Sequence, residues 1–260
     1  MYRWCYKLKI GVISGHPIEN LIDNSERITI ETRYGVIPVY ISEQKGHKVF
    51  FINRHGDPAR LPPHKINYLG NIEAFHLSHI DNIFSIGTVG SMNLDIKPGD
   101  FVIPHDFFDA TKNRISTFYD DKRFHVDMSD PFCPALRTLL EENTGGLKET
   151  IHMRGVYLAT EGPRLETASE IKFYSSTADI VGMTVVPEVR LARERGICYV
   201  SLCIVCNMAA RLQGSLPAED ISKVFHSKEK SVEMILKNAI QNIENKKKCS
   251  CRAKMEKAML

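Results

Sequence analysis

Short apolar segments alternate with segments of helical spacing along the chain, and this alternation limits the fold more than any other feature of the sequence. Strands that alternate with helices pack as a sheet covered by helices. We therefore predict an α/β fold with a single domain, in which a central mixed β-sheet is flanked by helices in three layers. The predicted strands are residues 9–13, 27–31, 35–42, 48–53, 82–86, 101–104, 155–159 and 197–205. The predicted helices are residues 67–77, 166–175, 187–195 and 219–244.

Polar and small residues that could bind a ligand lie at or just after the ends of these predicted segments. In open α/β sheets, ligands bind outside the carboxyl ends of the strands. We therefore expect six loops to converge on one pocket. The residues in question are Ser14, His16, Arg54, His55, Gly87, Thr88, Glu166, Met183, Thr184 and Asn207.

The composition indicates one folded domain and excludes several partners. The chain has 260 residues, of which 43% are apolar and 25% are charged, as is usual for a globular protein. A formal net charge of +3 gives no large basic field, so nucleic acid is not an expected partner. No segment reaches the roughly 20 apolar residues of a membrane span, and residues 1–9 lack the apolar core of a signal peptide. We expect a cytoplasmic protein without a membrane partner.

The C-terminal end differs from the rest of the chain. We predict a domain over residues 1–245 and a basic tail over residues 246–260, which contains Cys249-Ser-Cys251. A solvated helix end explains the basic residues, and an arm that binds polyanions is the alternative.

The cysteines give little support for a metal. Zinc sites usually need a second pair of ligands at matching spacing, and the nearest histidine to the tail pair, His226, stands alone. We therefore expect no metal. Cys198, Cys203 and Cys206 lie in or beside an apolar run and are expected to be buried thiols. A disulfide that involves the tail is left open.

Sequence motifs indicate which cofactors and reaction types are not expected and where an anion could bind. The chain has no Walker loop, no dinucleotide fingerprint and no Gly-x-Ser-x-Gly elbow, so ATP, NAD and a serine hydrolase are not implied. Arg54-His55-Gly56 after a strand can clamp an oxyanion, because a guanidinium holds phosphate oxygens bidentately. Residues 87–91 (GTVGS) can offer backbone N–H groups to the same anion. A solvated corner and a plain turn are the alternatives for these two segments.

Several short motifs occur in order over residues 9–235. They are Arg54-His55-Gly56, Pro63-His64-Lys65-Ile66-Asn67-Tyr68, Pro98-Gly99-Asp100, Pro131-Phe132-Cys133-Pro134, Glu161-Gly162-Pro163-Arg164, Met183-Thr184-Val185-Val186-Pro187-Glu188-Val189 and Leu191-Ala192-Arg193-Glu194. Together they resemble the trimeric purine nucleoside phosphorylases, and most closely their methylthioadenosine and methylthioinosine phosphorylase branch. The resemblance implies the phosphorylase/hydrolase-like version of the predicted fold.

The resemblance implies roles for individual residues. His16 stands where relatives have Ser or Thr, so either His16 or Ser14 is expected to contact phosphate. Met183 corresponds to the residue under the ribose, and Leu165 stands where relatives commonly have Phe. His125 resembles a residue that reaches the nucleoside of a neighbouring subunit. The rest of the implied phosphate pocket is Arg54, His55, Gly87, Thr88 and Thr184, and Met208 and Ala209 are further implied substrate contacts.

Two residues, Glu166 and Asn207, indicate which class of purine is bound. A 6-oxopurine presents N1–H as a donor, whereas a 6-aminopurine presents a lone pair there, so an ionised Glu166 favours the former. Asn207 stands where relatives that act on 6-oxopurines have Asn and where methylthioadenosine phosphorylases have Asp, with Ala209 in place of a second Asp. Asn207 is expected to donate near N7 of the departing base. The alternative for Glu166 is that it caps its helix.

We therefore expect an enzyme, a pentosyltransferase that cleaves inosine, guanosine or methylthioinosine with phosphate as co-substrate and without a cofactor. By resemblance it is a homotrimer or a dimer of trimers. The alternatives are a methylthioadenosine phosphorylase, a nucleosidase that uses water, and a catalytically silent nucleoside-binding homologue. At the 5′ position Leu216, Ile221 and Val224 either line an apolar pocket or pack a helix on the sheet.

Overall fold

A computed structural model describes residues 8–210, 212–214, 218–246 and 248–259. In this described part of the chain, eleven strands form one sheet. They are β1 Lys9–Ser14, β2 Glu26–Thr32, β3 Gly35–Gln44, β4 His47–Asn53, β5 Asn82–Ser91, β6 Phe101–Val102, β7 Asp106–Asp109, β8 Ile151–His152, β9 Val156–Ala159, β10 Ile180–Gly182 and β11 Cys198–Met208.

The sheet is mixed, as the sequence predicts. The strand order is β2-β3-β4-β1-β5-β10-β9-β7, and β11 pairs with β5 and continues through β6 to β8. At the centre, β4, β1, β5 and β11 are parallel, so their carboxyl ends lie on the same side. The β2–β3 hairpin extends one edge in antiparallel fashion.

Helices cover both faces of the sheet. The bounds are α1 Glu19–Ile22, α2 Tyr68–Leu77, α3 Pro134–Glu142, α4 Ala168–Tyr174, α5 Val185–Glu194, α6 Ala218–Gln241 and α7 Cys251–Glu256, with 3-10 turns at Pro63–Lys65 and Ile243–Asn245. On one face Phe75 of α2 and Val189 of α5 are buried in one apolar cluster. On the other, Leu136 of α3 and Leu236 of α6 are buried in a second. The three-layer α/β architecture is therefore confirmed.

Two central strands run further than predicted. Residues 87–91 are not a loop after β5 but its continuation, because β11 pairs with β5 as far as Ser91 and β10 pairs with Gly90 and Ser91. In the same way β11 continues to Met208, after a register shift between Val205 and Asn207. Inter-strand pairing of this kind depends on neighbours that a single segment does not reveal.

One helical prediction is corrected, because Glu166 lies outside helix α4, which begins at Ala168 with Thr167 as its N-cap and a capping box completed by Glu170.

The C-terminal tail contains both exposed and buried residues. Arg252 is exposed, as a solvated helix end predicts, whereas Cys251 is 2% exposed and Ala258 3% exposed. Helix α7 packs on the body of the protein, where Met255 contacts Gly196 just after α5.

Candidate active site

One cavity of about 330 Å³ lies where β1 and β4 end and where β5 and β11 continue beyond their predicted ends. Most of the residues singled out in the sequence line it, although the first and last of them, Ser14 and Ile221, are 207 positions apart in the chain. The predicted site residues along its wall are Ser14, His16, Arg54, His55, Gly87, Thr88, Leu165, Glu166, Met183, Thr184, Asn207, Ala209 and Ile221.

Two predicted substrate contacts do not line this cavity. Met208 follows Asn207 in β11 and does not line the cavity, whereas Asn207 and Ala209 on either side of it do. His125 is exposed, and its backbone N–H donates to the carbonyl of Ala258 at 2.8 Å. Leu216 lies outside the described residues, and Val224 of α6 packs against the core rather than lining the cavity.

Arg54 is held rigidly in the cavity wall. Its side chain is 1% exposed, and Nε lies 2.5 Å from Oε1 of Glu188. Nη2 donates to Ser85 at 2.7 Å and to Glu188 at 3.2 Å, while Nη1 donates to the carbonyl of Ile86 at 2.9 Å. Burial alone would lower the pKa of Arg54, but the Glu188 carboxylate outweighs it and raises that pKa.

This network changes the predicted phosphate clamp. A guanidinium has five N–H donors, and the bonds to Glu188, Ser85 and Ile86 use four of them. Among the described residues, one N–H of Nη1 is left for a ligand, so the expected bidentate grip is wrong. Arg54 can instead supply a fixed positive charge and a single hydrogen bond.

Small residues leave space beside these cationic groups. A β-carbon on Gly15 would lie 3.3 Å from Nε2 of His55 and 3.6 Å from Nη1 of Arg54. A β-carbon on Gly87 would lie 3.9 Å from Oγ1 of Thr184. The absence of these atoms opens a polar niche that an anion of the size of phosphate can approach through backbone N–H groups.

His55 is fixed through one ring nitrogen. Its Nδ1 lies 2.6 Å from the carbonyl of Leu61, so Nδ1 carries the proton in this contact. Nε2 therefore faces Gly15 and the niche. Desolvation lowers the pKa of His55. The hydrogen bond to Leu61 opposes this shift, and the positive charge of Arg54 adds to it.

His16 forms part of an aromatic cluster at the cavity. Its ring stacks on Phe225 of α6 with centroids 4.2 Å apart, and its backbone N–H donates to Oγ of Ser14 at 3.3 Å. Burial lowers the pKa of His16, and the positive charges of His226, His55 and Arg54 lower it further. The neutral ring is therefore favoured when no anion is bound.

Glu166 is oriented by a hydroxyl group rather than by a helix end. Oγ1 of Thr160 donates to Oε1 of Glu166 at 2.6 Å, and Glu166 is half-buried in the cavity wall. Thr167 is the residue that caps α4. The carboxylate of Glu166 is therefore not a helix cap, and its second oxygen can meet a ligand.

Asn207 lies directly over β5. A β-carbon on Gly90 would be 3.0 Å from Nδ2 of Asn207, so Gly90 allows the close approach of the two strands. Nδ2 donates one hydrogen to the carbonyl of Met208 at 2.8 Å. An amide NH₂ has a second hydrogen, which remains available for a ligand acceptor.

Met183 is placed by contacts on both sides. A β-carbon on Gly162 would lie 2.6 Å from its Sδ, so the loop that precedes Glu166 packs against it. Nη1 of Arg114 donates to the carbonyls of Met183 and Val186, and Nη2 donates to the carbonyl of Glu161 at 2.7 Å. Arg114 thus ties together the two segments that bear Met183 and Glu166.

Several residues important for the site were missed in the sequence. Thr160, Glu188 and Arg114 orient or hold other groups of the site, and Phe225 contributes a ring from α6. Glu188 and Arg114 do not lie at strand ends that line the cavity, so their positions in the sequence give no sign of a role in the site. Glu161 and Glu188 stood in the recognised motifs without an assigned role.

Comparisons with known proteins show the family of this chain. Residues 9–241 match the Phosphorylase superfamily. The chain is 39% identical to an S-methyl-5'-thioadenosine phosphorylase of Pyrococcus furiosus, over 94% of this chain and 96% of that protein. It is 40% identical to a probable 6-oxopurine nucleoside phosphorylase of Thermococcus kodakarensis, with the same two shares covered. It is 43% identical to a probable S-methyl-5'-thioinosine phosphorylase of Methanosarcina acetivorans, over 97% of each chain.

The fold is shared with a solved structure. A methylthioadenosine phosphorylase from an Antarctic soil metagenomic library superposes with a TM-score of 0.91 at 30% identity, over 98% of this chain and 93% of that one. Within the described residues, no helix has both the length and the apolar character needed to cross a membrane.

Proposed function

Because the chain belongs to the phosphorylase superfamily, we propose that it is a purine nucleoside phosphorylase that cleaves 6-oxopurine nucleosides with inorganic phosphate. The products are the free base and ribose 1-phosphate, or its 5-methylthio form when the substrate is methylthioinosine. One observation carries the proposal: Glu166 and Asn207 line the same cavity as Arg54, His55 and Thr184. Groups suited to a purine and groups suited to phosphate therefore share one site.

The phosphate is proposed to sit in the niche beside Gly15 and Gly87. Nη1 of Arg54 provides a fixed charge, and Thr184 provides a hydroxyl group near Gly87. Between the two candidates for the remaining hydroxyl contact, Ser14 is favoured, because the ring of His16 is already stacked on Phe225. Thr88 lines the same part of β5 and adds a second hydroxyl group.

The proposed mechanism is electrostatic. As the glycosidic bond breaks, positive charge develops on the sugar and negative charge on the purine. Bound phosphate stabilises the sugar and then forms the new bond to C1′, while the free amide hydrogen of Asn207 stabilises the base at N7. A site prepared in this way requires no covalent intermediate with the protein and no cofactor, because phosphate itself is the co-substrate.

Specificity for the base is proposed to reside in Glu166. The ionised carboxylate accepts hydrogen bonds and cannot donate them. Thr160 already donates to Oε1, so the second oxygen meets N1–H of a 6-oxopurine. A 6-aminopurine would place a lone pair against that oxygen, and such unpaired contacts discriminate strongly between substrates.

The 5′ side is proposed to be apolar. Ile221 and Phe225 of α6 line the cavity, and these side chains accept a methylthio group more readily than a hydroxyl group. This favours methylthioinosine over inosine within the 6-oxopurine class. Leu165 is 41% exposed and leaves the cavity without the aromatic ring that relatives commonly place there.

A second candidate is phosphorolysis of methylthioadenosine, and it is favoured by the names of similar proteins. Relatives at 39% and 40% identity are named for opposite base classes. Whole-chain identity therefore does not separate the candidates, and the presence of Glu166 and Asn207 in one cavity favours the 6-oxopurine candidate.

The test is a panel of inosine, guanosine, methylthioinosine, adenosine and methylthioadenosine, each assayed with and without phosphate. The proposal expects turnover of the 6-oxopurine substrates that depends on phosphate. Preference for methylthioadenosine would support the second candidate, and turnover without phosphate would indicate a nucleosidase. Binding by calorimetry without any turnover would indicate a silent homologue.

The proposed enzyme works in the cytoplasm as a homotrimer or a dimer of trimers. Support for assembly comes from His125, which is exposed and does not line the cavity of its own chain. His125 could therefore reach the 5′ side of the substrate that is bound to a neighbouring subunit. Light scattering coupled to gel filtration tests the assembly, and a monomer with full activity would contradict it.

A further inference from the structure

Four cysteine side chains from three separate parts of the chain meet at one place away from the cavity. Cys133 precedes α3 as its N-cap and Cys198 begins β11, whereas Cys249 and Cys251 belong to the C-terminal segment. Three of them are buried, and Cys249 is the most exposed of the four. Their Sγ atoms all lie within 4.8 Å of one another.

The spacing of these sulfur atoms fits a tetrahedral metal. Zinc binds thiolate sulfur at about 2.3 Å, which places the sulfurs of a tetrahedral site about 3.8 Å apart. The Sγ atoms of Cys198 and Cys249 are 3.3 Å apart, and the widest separation in the cluster is within 4.8 Å. We propose that Cys133, Cys198, Cys249 and Cys251 form a structural zinc site that fastens the C-terminal segment to the body of the protein.

The charges around the cluster support a metal rather than disulfides. Arg193 of α5 is 0% exposed, and in the described chain its Nε and Nη1 have no hydrogen-bond partner. Its positive charge acts on Cys251. On the other side, Nζ of Lys246 lies 3.4 Å from Sγ of Cys198 and donates to Asn82 at 2.7 Å. Two cations therefore flank the four sulfur atoms.

A buried guanidinium needs a compensating negative charge. Four thiolates and one Zn²⁺ carry a net charge of −2, which balances Arg193 and Lys246. Two disulfides would be neutral and would leave both cations without a partner at the cluster. Binding releases the four thiol protons to solvent as four sulfur–zinc bonds form, and no electron is transferred.

Zinc at this position would hold more than the tail. The carbonyl of Ala258 accepts the backbone N–H of His125, and Met259 bridges to Phe124. Both contacts come from residues that follow Cys251, so release of the metal would loosen the segment that bears His125. The prediction of no metal relied on spacing within the sequence, where Cys133 and Cys198 stand too far from the tail to be read as its second pair of ligands.

The experiment uses the full chain, purified without a histidine tag under reducing conditions, with metal content measured by mass spectrometry. We expect about one zinc ion per chain, lost in Cys249→Ser and in Cys133→Ser. Cys249→Ser is the primary variant because Cys249 is the exposed member of the cluster, and a substitution there should disturb folding least. Cys203→Ala is the matched control, since Cys203 is a buried free thiol outside the cluster, and it should retain zinc.

Two further measurements separate the outcomes. Replacement of zinc by Co²⁺ should give the visible absorption of tetrahedral thiolate-bound cobalt, and this should be absent in Cys249→Ser. A chelator should lower the melting temperature of the parent and leave that of Cys249→Ser unchanged. Two disulfides among these four cysteines, found in the intact mass of protein purified without a reductant, would overturn the proposal. So would a protein with four free thiols that takes up no zinc on addition, or zinc that persists in Cys249→Ser.

Discussion

Replacement of Glu166 by Gln should reverse the hydrogen-bonding character of the wall that faces the purine. Thr160 donates to Oε1 of Glu166 at 2.6 Å. In Glu166→Gln the side-chain oxygen keeps this bond, because the amide nitrogen cannot accept it. The NH₂ group is then forced to the position of the second carboxylate oxygen. A donor therefore replaces an acceptor at the base, with almost no change in volume.

The magnitude follows from the bond that is lost. A hydrogen bond to a charged group contributes about 1.5–3 kcal/mol, which corresponds to roughly 10- to 160-fold in kcat/KM. We expect that loss for inosine and methylthioinosine. Methylthioadenosine should gain, since its N1 lone pair would meet a donor. The assay is steady-state phosphorolysis of all three substrates at saturating phosphate.

Variants of Thr160 test the orienting role. In Thr160→Val/Glu166→Gln the amide can turn either way, so the gain for methylthioadenosine should shrink relative to Glu166→Gln. Thr160→Ser retains the donor and should behave like the parent. An unchanged kcat/KM for inosine in Glu166→Gln, with the protein folded, would refute the assignment of Glu166 to the base.

The remaining predictions concern the rest of the site. Glu188→Gln leaves the buried charge of Arg54 uncompensated and should lower the free energy of unfolding by about 3–5 kcal/mol, measured in urea; a loss below about 1 kcal/mol would contradict the argument. Asn207→Ala should raise the barrier by about 2.7–4 kcal/mol, seen as a drop in kcat with an unchanged circular dichroism spectrum, and near-normal turnover would refute it. Burial lowers the pKa of His16 and His55 below the usual 6.5. The unfolded chain therefore binds more protons than the folded chain when the pH falls below 6.5. The free energy of unfolding should therefore be highest above this pH and should decline as the pH falls through the pKa values of the two histidines in the folded protein. A melting temperature that rises as the pH is lowered from 7 to 5 would contradict this.

Much of the central sheet and of the cavity follows from the sequence because both depend on local patterns. The run from Ile10 to Ile13 is fully buried in β1, and an apolar run of that length predicts a central strand. Polar residues directly after such runs lie at one edge of a parallel sheet. For this reason Ser14, Arg54 and Asn207 could be placed in one pocket before any contact was known.

The errors occur where a residue's state depends on a distant partner. Gly87 to Ser91 have the composition of a turn, and pairing with β11 and β10 holds them in a strand instead. Arg54 has the chemistry of a phosphate clamp, and Glu188, 134 positions away, occupies two of its five N–H donors. Neither pairing leaves a signal in the local sequence.

The sequence by itself determined the alternation of strands and helices, the chemistry available at each strand end, and the resemblance to nucleoside phosphorylases. Only the tertiary structure decided which donors remain free, which way Glu166 is turned, and which cysteines meet the tail. The physical reason is range: periodicity and turn chemistry act over a few residues, whereas hydrogen bonds, ion pairs and sulfur clusters join groups that the fold brings together. Cys133 and Cys251 are 118 positions apart in the sequence and lie side by side in the protein.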